Sequence, residues 1–291
     1  MAIDLLQDKI RKMKCPVAVN FSVLQEHIPM HIIEATENFV TARHIFASEL
    51  LTALKETVPA VRFSYPSFAL SGSAGLESLE KLLHQAKECG YYVFLDGIEA
   101  LSAQEAAFFS EQLMREDCPF CFDALVMPAY IGSDGIKPYL PALKENGKDL
   151  FVVVRTGNKT ATEIQDLLTG TRLMHLAAAD IVDRFTQPLM TKCAYSQVAM
   201  MAGASSASSL KTLRDKYKSA FILVDGCDYS NGNVKNCVGA FDQIGHGAIV
   251  CAGLSVVAAW QENGDGAAYL QSAVEASLRL KRNILRYITI L

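Results

Sequence analysis

Leu150-Phe151-Val152-Val153-Val154 is an unbroken apolar run that stops at Arg155-Thr156-Gly157-Asn158. A run this short, without polar alternation and rich in β-branched residues, reads as a strand buried on both faces, as in a parallel sheet covered by helices. Seven more runs of the same kind lie on either side of it: Pro16–Phe21, Val58–Tyr65, Tyr91–Leu95, Phe122–Met127, Tyr195–Met201, Ala220–Val224 and Ala248–Cys251. Between them are amphipathic segments, Glu34–Leu54, Gly75–Cys89, Ala103–Arg115, Asp134–Lys144, Ser206–Tyr217 and Val234–Ile244, and a last helix over Gly266–Arg286 closes the chain. Eight strand–helix units with no Pro/Gly/Ser-rich linker predict an α/β fold, a (β/α)8 TIM barrel, as one domain over residues 1–291. A further helix over Leu5–Lys14, ahead of the first strand, is expected to plug the bottom of the barrel.

The composition narrows the class. The chain has 291 residues, 51% hydrophobic and 20% charged, which excludes disorder and low-complexity architectures. A net charge of −4 argues against a sequence-independent grip on nucleic acid. No apolar stretch has the length of a membrane span, and Met1–Lys14 is charged and amphipathic rather than signal-like, so a cytoplasmic protein without membrane contact is expected. The eight cysteines are scattered and read as reduced core thiols; Cys118-Pro-Phe-Cys121 lacks the second pair that a zinc site needs. His27 and His31 are four apart but separated by Pro29, which disfavours a helix presenting both. No cofactor or metal is expected.

In a barrel of this kind the chemistry sits where each strand ends. Read in order, these strand ends resemble the orotidine 5′-phosphate decarboxylase family, in its longer bacterial type, over nearly the whole chain. The segments that carry the likeness are Asp123-Ala124-Leu125 with Tyr130-Ile131-Gly132-Ser133-Asp134 and Pro138-Tyr139, then Val153-Val154-Arg155-Thr156-Gly157-Asn158, then Ala202-Gly203-Ala204-Ser205 with Leu213-Arg214. The resemblance implies a homodimer and a nucleotide-like small molecule at the C-terminal mouth of the barrel. Carried over by position, it nominates Asp96 and Arg62 as remnants of the catalytic charge network, and Asn20, Tyr130, Asp134, Arg155, Thr156, Asn158, Ser205, Gly226, Ser230 and Gly232 as ligand-binding residues.

The family's Asp-x-Lys-Arg-Gly-Asp motif reads here Asp96-Gly97-Ile98-Glu99-Ala100-Leu101. Ile98 stands in place of the proton-donating lysine, and Leu101 in place of the aspartate that reaches into a partner's site. Asn20 replaces an aspartate, Arg62 a lysine, and Gly157 the serine that faces the pyrimidine. The glycine-rich loop after the seventh strand becomes Asp225-Gly226-Cys227-Asp228-Tyr229-Ser230-Asn231-Gly232, and the phosphate-holding arginine after the eighth becomes Leu254. An isoleucine has no proton to give, and general acid catalysis requires a donor within hydrogen-bond reach. The expectation is a decarboxylase-like barrel without decarboxylase turnover. Two alternatives stand beside it: an active decarboxylase, and a metal-dependent enzyme acting on a changed substrate through Asp96, Glu99, Asp225 and Asp228. Asp96 and Arg62, on neighbouring strands, are expected to pair inside the barrel.

Overall fold

The computed structural model describes every residue except 231 and 265. All eight expected strands form: Val17–Asn20 (β1), Ala60–Ser64 (β2), Tyr92–Asp96 (β3), Ala124–Pro128 (β4), Asp149–Arg155 (β5), Val198–Gly203 (β6), Ile222–Asp225 (β7) and Ala248–Ala252 (β8). They are parallel and close into a barrel in chain order, with β1 bonded to both β2 and β8. The molecule is a (β/α)8 TIM barrel.

The runs are continuous because the two faces of each strand meet two different apolar surroundings. Val19, Val61, Val93, Leu125, Val152 and Val250 face the helical shell, while Ala18, Ala60, Phe94, Phe151, Ala199 and Ile249 fill the inside. The helix Ala2–Met13 joins the inner cluster through Ile3, Leu6 and Ile10, which are fully buried. Each such side chain contributes about 1.5–3 kcal/mol. The backbone N–H of Gly247 donates to Gln7 Oε1 and that of Cys193 to Asp4 Oδ1, so the helix closes the end at which the strands begin, as expected.

The shell departs from its sequence reading where proline intervenes or a segment is short. Asp134–Lys144 is not one helix: Pro138, which has no N–H to give, divides it into Ser133–Ile136, a 3-10 turn at Lys137–Tyr139, and Leu140–Asn146. Val234–Ile244 is helical only over Val234–Cys237, followed by a 3-10 turn at Val238–Ala240. Residues 156–194, with no predicted element, hold a small antiparallel ribbon (Leu168–Thr169 with Arg172–Leu173) and the helix Met174–Asp183. Lys211, Arg214, Lys216 and Lys218, close in sequence, do not form a continuous basic face. Arg214 is buried and donates to the carbonyls of Ala240 and Gly247 at 2.7 and 2.6 Å. Pro29 precedes the helix Met30–Glu34, so His27 and His31 do not share one. All eight cysteines are free thiols. Among the described residues no helix is long and apolar enough to cross a membrane.

At the closed end, Asp149 is completely buried; it accepts a 2.7 Å hydrogen bond from Tyr92 Oη through Oδ2, and its Oδ1 has no partner. Burial raises its pKa well above the ordinary carboxylate value, and the charge of Asp123 adds to this against the opposing Tyr92 bond. A carboxyl that is neutral when folded and ionised above about pH 4 when unfolded must take up a proton on folding. Its contribution is complete in acid and falls as pH rises toward the raised folded value. Asp149→Asn is therefore expected to raise the melting temperature at pH 8 by about 2 °C or more and to have little effect near pH 4. Thermal melts across that range check it; a gain that is equal at both ends contradicts the assignment.

Candidate functional site

Alternation along each strand sends Asn20, Arg62, Asp96, Asp225 and Cys251 into the top of the barrel, two residues above the inward Ala18, Ala60, Phe94, Leu223 and Ile249. Arg62 is the centre of this layer. Its Nε donates to Asp96 Oδ2, and its Nη1 to Asp225 Oδ1 at 2.6 Å. All three side chains are only 11% exposed. Burial works against the guanidinium charge, but Asp225 and Asp96 outweigh it and hold Arg62 more firmly protonated than in water. The expected Arg62–Asp96 pair is present. Asp225 is a second carboxylate partner, which the sequence reading offered only as a candidate metal ligand.

Other groups line this floor. Ser22 Oγ donates to Asn20 Oδ1 at 3.0 Å, and Asn20 lies opposite Arg62 in the β1–β2 register. The Cys251 thiol is buried beside the guanidinium; burial raises its pKa, opposed by Arg62. Tyr229 Oη donates to Asp225 Oδ2 at 3.3 Å, and burial, followed by the Asp225 charge, raises the phenol's pKa. Asp228 turns away from the floor toward the loop after β8, where Oδ2 accepts from the backbone N–H groups of Gly253 (2.8 Å) and Ser255 (3.2 Å) and from Ser255 Oγ (3.0 Å). The four carboxylates considered as metal ligands are thus divided: two on Arg62, one on backbone amides, and Glu99 exposed. Among the described residues no group of three His, Cys, Asp or Glu side chains converges as metal ligands.

Arg155 is a correction to the sequence reading. Phe151 and Val153 pair with the inward Ala199 and Met201, which would send Arg155 inward as well. The β5–β6 register slips between Val153 and Arg155, however, and Arg155 pairs instead with Ala202, on the outer face. Such a bulge re-aims the side chain that follows it. The guanidinium then forms a two-bond pair with Asp166 at 3.0 and 2.9 Å and donates to Ser205 Oγ at 2.9 Å. Those bonds to Arg155, opposed by burial, hold Asp166 below the usual carboxylate range. His175, buried on the helix Met174–Asp183, completes the cluster with Nδ1 at 3.0 Å from Gln165 O and 3.1 Å from Asp166. Arg155 therefore braces the helical shell, and Ser205 accepts one of its bonds.

The remaining nominated residues divide in the same way. Thr156 is held by Gln165, whose Oε1 accepts from its N–H at 2.7 Å, and Asn158 pairs with Thr156 and Thr160. Tyr130, 90% exposed, and Asp134 stand in solvent after β4, away from the floor, and Ser230 is exposed. Gly226 and Gly232 serve their own loop. Gly226 has φ +71°, and a β-carbon there would lie 2.4 Å from the Tyr229 ring; one on Gly232 would lie 2.0 Å from Gly226 O. Asn231, in the same loop, lies outside the described residues. Ile98 packs against the hydrophobic core, Leu101 is 79% exposed and Leu254 is partly exposed.

A closed eight-stranded parallel barrel defines the class as a (β/α)8 barrel, a fold whose enzymes carry their active sites at the strand C-termini, where the polar layer of this chain lies. Within that class, the chain is similar over nearly its full length to orotidine 5′-phosphate decarboxylases. It is 25% identical over 296 residues to the enzyme so named from Caldicellulosiruptor saccharolyticus, covering 97% of each chain, and 25% identical over 289 residues to that from Clostridium kluyveri, covering 98% of each. No family model matches the chain. Among solved structures, the Plasmodium berghei orotidine 5′-monophosphate decarboxylase superposes with a TM-score of 0.77 at 13% identity, covering 97% of this chain and 99% of the other. The Leishmania donovani enzyme gives 0.73 at 19%, with the same coverage. These structures establish the likeness of fold.

Removing one member of a buried, hydrogen-bonded ion group leaves the others uncompensated, at a cost of about 3–5 kcal/mol. Arg62→Met is expected to destabilise the protein by that amount in urea unfolding. Arg62→Met in an Asp96→Asn/Asp225→Asn background is expected to cost far less. Equal losses in both backgrounds would show that the three groups are not coupled.

Proposed function

We propose that this chain is a cytoplasmic orotidine 5′-phosphate decarboxylase-like protein that keeps the barrel and binds a small molecule at its mouth without decarboxylating orotidine monophosphate. The observation that carries the reading is the chemistry around Asp96. The cation beside it is a guanidinium held by two carboxylates, which does not release a proton at physiological pH, and Ile98 is packed against the core. A carbanion formed above Asp96 would find no ammonium beside that carboxylate to protonate it or to stabilise its charge. The surrounding carboxylates also disfavour a substrate carrying a phosphate dianion.

The names of the curated relatives favour a second reading, an active orotidine 5′-phosphate decarboxylase that converts orotidine monophosphate to uridine monophosphate with loss of carbon dioxide. Carbon dioxide release from orotidine monophosphate separates the two. The purified protein is expected to give no rate above a protein-free blank, whereas turnover comparable to a relative measured in parallel would establish the second reading.

We also propose that the protein pairs with a second copy through the rim of the mouth. Leu70, Leu101, Tyr130 and Leu254 are exposed apolar side chains in the segments that follow β2, β3, β4 and β8. Apolar surface grouped at one end of a molecule is a common mark of an interface. A leucine buried there contributes about 1.5–3 kcal/mol. Leu101→Lys is expected to shift sedimentation from dimer toward monomer; a wild-type protein that sediments as a monomer at micromolar concentration rules the pairing out.

A further inference from the structure

The loop after β7 carries an aromatic ring and a carboxylate on adjacent residues; the ring is seated over the mouth and the carboxylate is held at the tip of β8. The ring of Tyr229 lies against the tips of β5 and β7: its Cδ2 would be 2.4 Å from a β-carbon on Gly226 and 3.5 Å from one on Gly157. Its hydroxyl reaches down to Asp225 Oδ2 at 3.3 Å, on the carboxylate that also holds Arg62. The backbone of the loop closes on itself beneath the ring, with Tyr229 N–H donating to Gly226 O and Gly232 N–H to Tyr229 O at 3.2 and 2.8 Å. Next to it, one oxygen of Asp228 collects three donors from the loop after β8: Gly253 N–H, Ser255 N–H and Ser255 Oγ.

We propose that Tyr229 and Asp228 are a built-in occupant of the mouth, a ring joined to an anion that takes the places of both parts of a ring-bearing phosphate ligand and keeps such ligands out. The proposal rests on the reading of this mouth as a small-molecule site. Loops after the seventh and eighth strands of such barrels are a frequent seat for phosphate. Here the donors at the tip of β8 are already satisfied by a carboxylate of the same chain. An incoming dianion would have to displace Asp228 and then remain beside it. Arg62 offers it no compensation, because its guanidinium is spent on Asp96 and Asp225. A ring entering over Gly157 would meet Tyr229, and a site that is open only part of the time binds more weakly in proportion to the open fraction. Tyr229 is 46% exposed, so its side chain borders solvent and is not locked into the core.

The test is calorimetric titration of full-length protein with uridine 5′-monophosphate, uridine and inorganic phosphate. Asp228→Gly/Tyr229→Ala is expected to bind uridine 5′-monophosphate at least tenfold more tightly than wild type. Asp228→Gly alone is expected to account for a gain toward phosphate, and Tyr229→Ala alone for one toward uridine. A wild type that binds uridine 5′-monophosphate as tightly as the folded double variant overturns the proposal. If the double variant fails to fold, amide hydrogen exchange decides: the Gly253 and Ser255 amides are expected to exchange at least tenfold faster in Asp228→Asn than in wild type. Equal rates overturn the proposal. Carbon dioxide release from orotidine monophosphate is measured on the same samples. Release by wild type would refute the absence of turnover, whereas the affinity ratio between wild type and variant bears on the built-in occupant alone.

Discussion

The top of the barrel depends on one guanidinium shared by two carboxylates. Arg62 ties β2 to β3 through Asp96 and to β7 through Asp225, whose position is 163 residues further along the chain. In so enclosed a setting a lone Asp96 or Asp225 would be costly, and the cation between them removes most of that cost. The same arrangement commits the cation. A guanidinium with its donors turned to two carboxylates is a structural element of the barrel floor, with little left to offer an anionic ligand.

Other charges on the strand ends are committed in a similar manner. The bulge in β5 takes Arg155 out of the barrel and gives it to Asp166 and Ser205, with His175 behind them. Asp228 is held by the amides after β8. The C-terminal face of a barrel enzyme ordinarily carries groups poised for a substrate. Here the arginines at these positions are matched to carboxylates and Asp228 to backbone amides, and the result is a polar layer satisfied within the chain, beneath a half-exposed tyrosine.

Likeness over nearly the full length to orotidine 5′-phosphate decarboxylases says little about such a floor, because fold and chemistry draw on different residues. The eight apolar runs and their spacing maintain the barrel, and substitutions among valine, isoleucine and leucine leave it intact. Proton transfer depends on single polar side chains at strand tips. Ile98, just past the tip of β3, packs against the core, so the fold asks for no polar side chain at that position.

The barrel was legible in the chain because a strand covered on both faces must be apolar at every position, and that pattern is local. The N-terminal plug and the Arg62–Asp96 pair were legible for the same reason, since amphipathic spacing and neighbouring strands are short-range features. The helix Met174–Asp183 escaped notice because it is short and follows a ribbon with no strong pattern. Asp225 as partner to Arg62, the reversal of Arg155, Tyr229 seated over the mouth and Asp228 held at the tip of β8 belong to another order of information. They arise from barrel closure, from a one-residue slip in register and from a loop folding back over the strand ends, where the contacts join residues far apart in sequence. Local composition sets which segments become strands and helices; which polar side chains meet is settled only when all eight strands close.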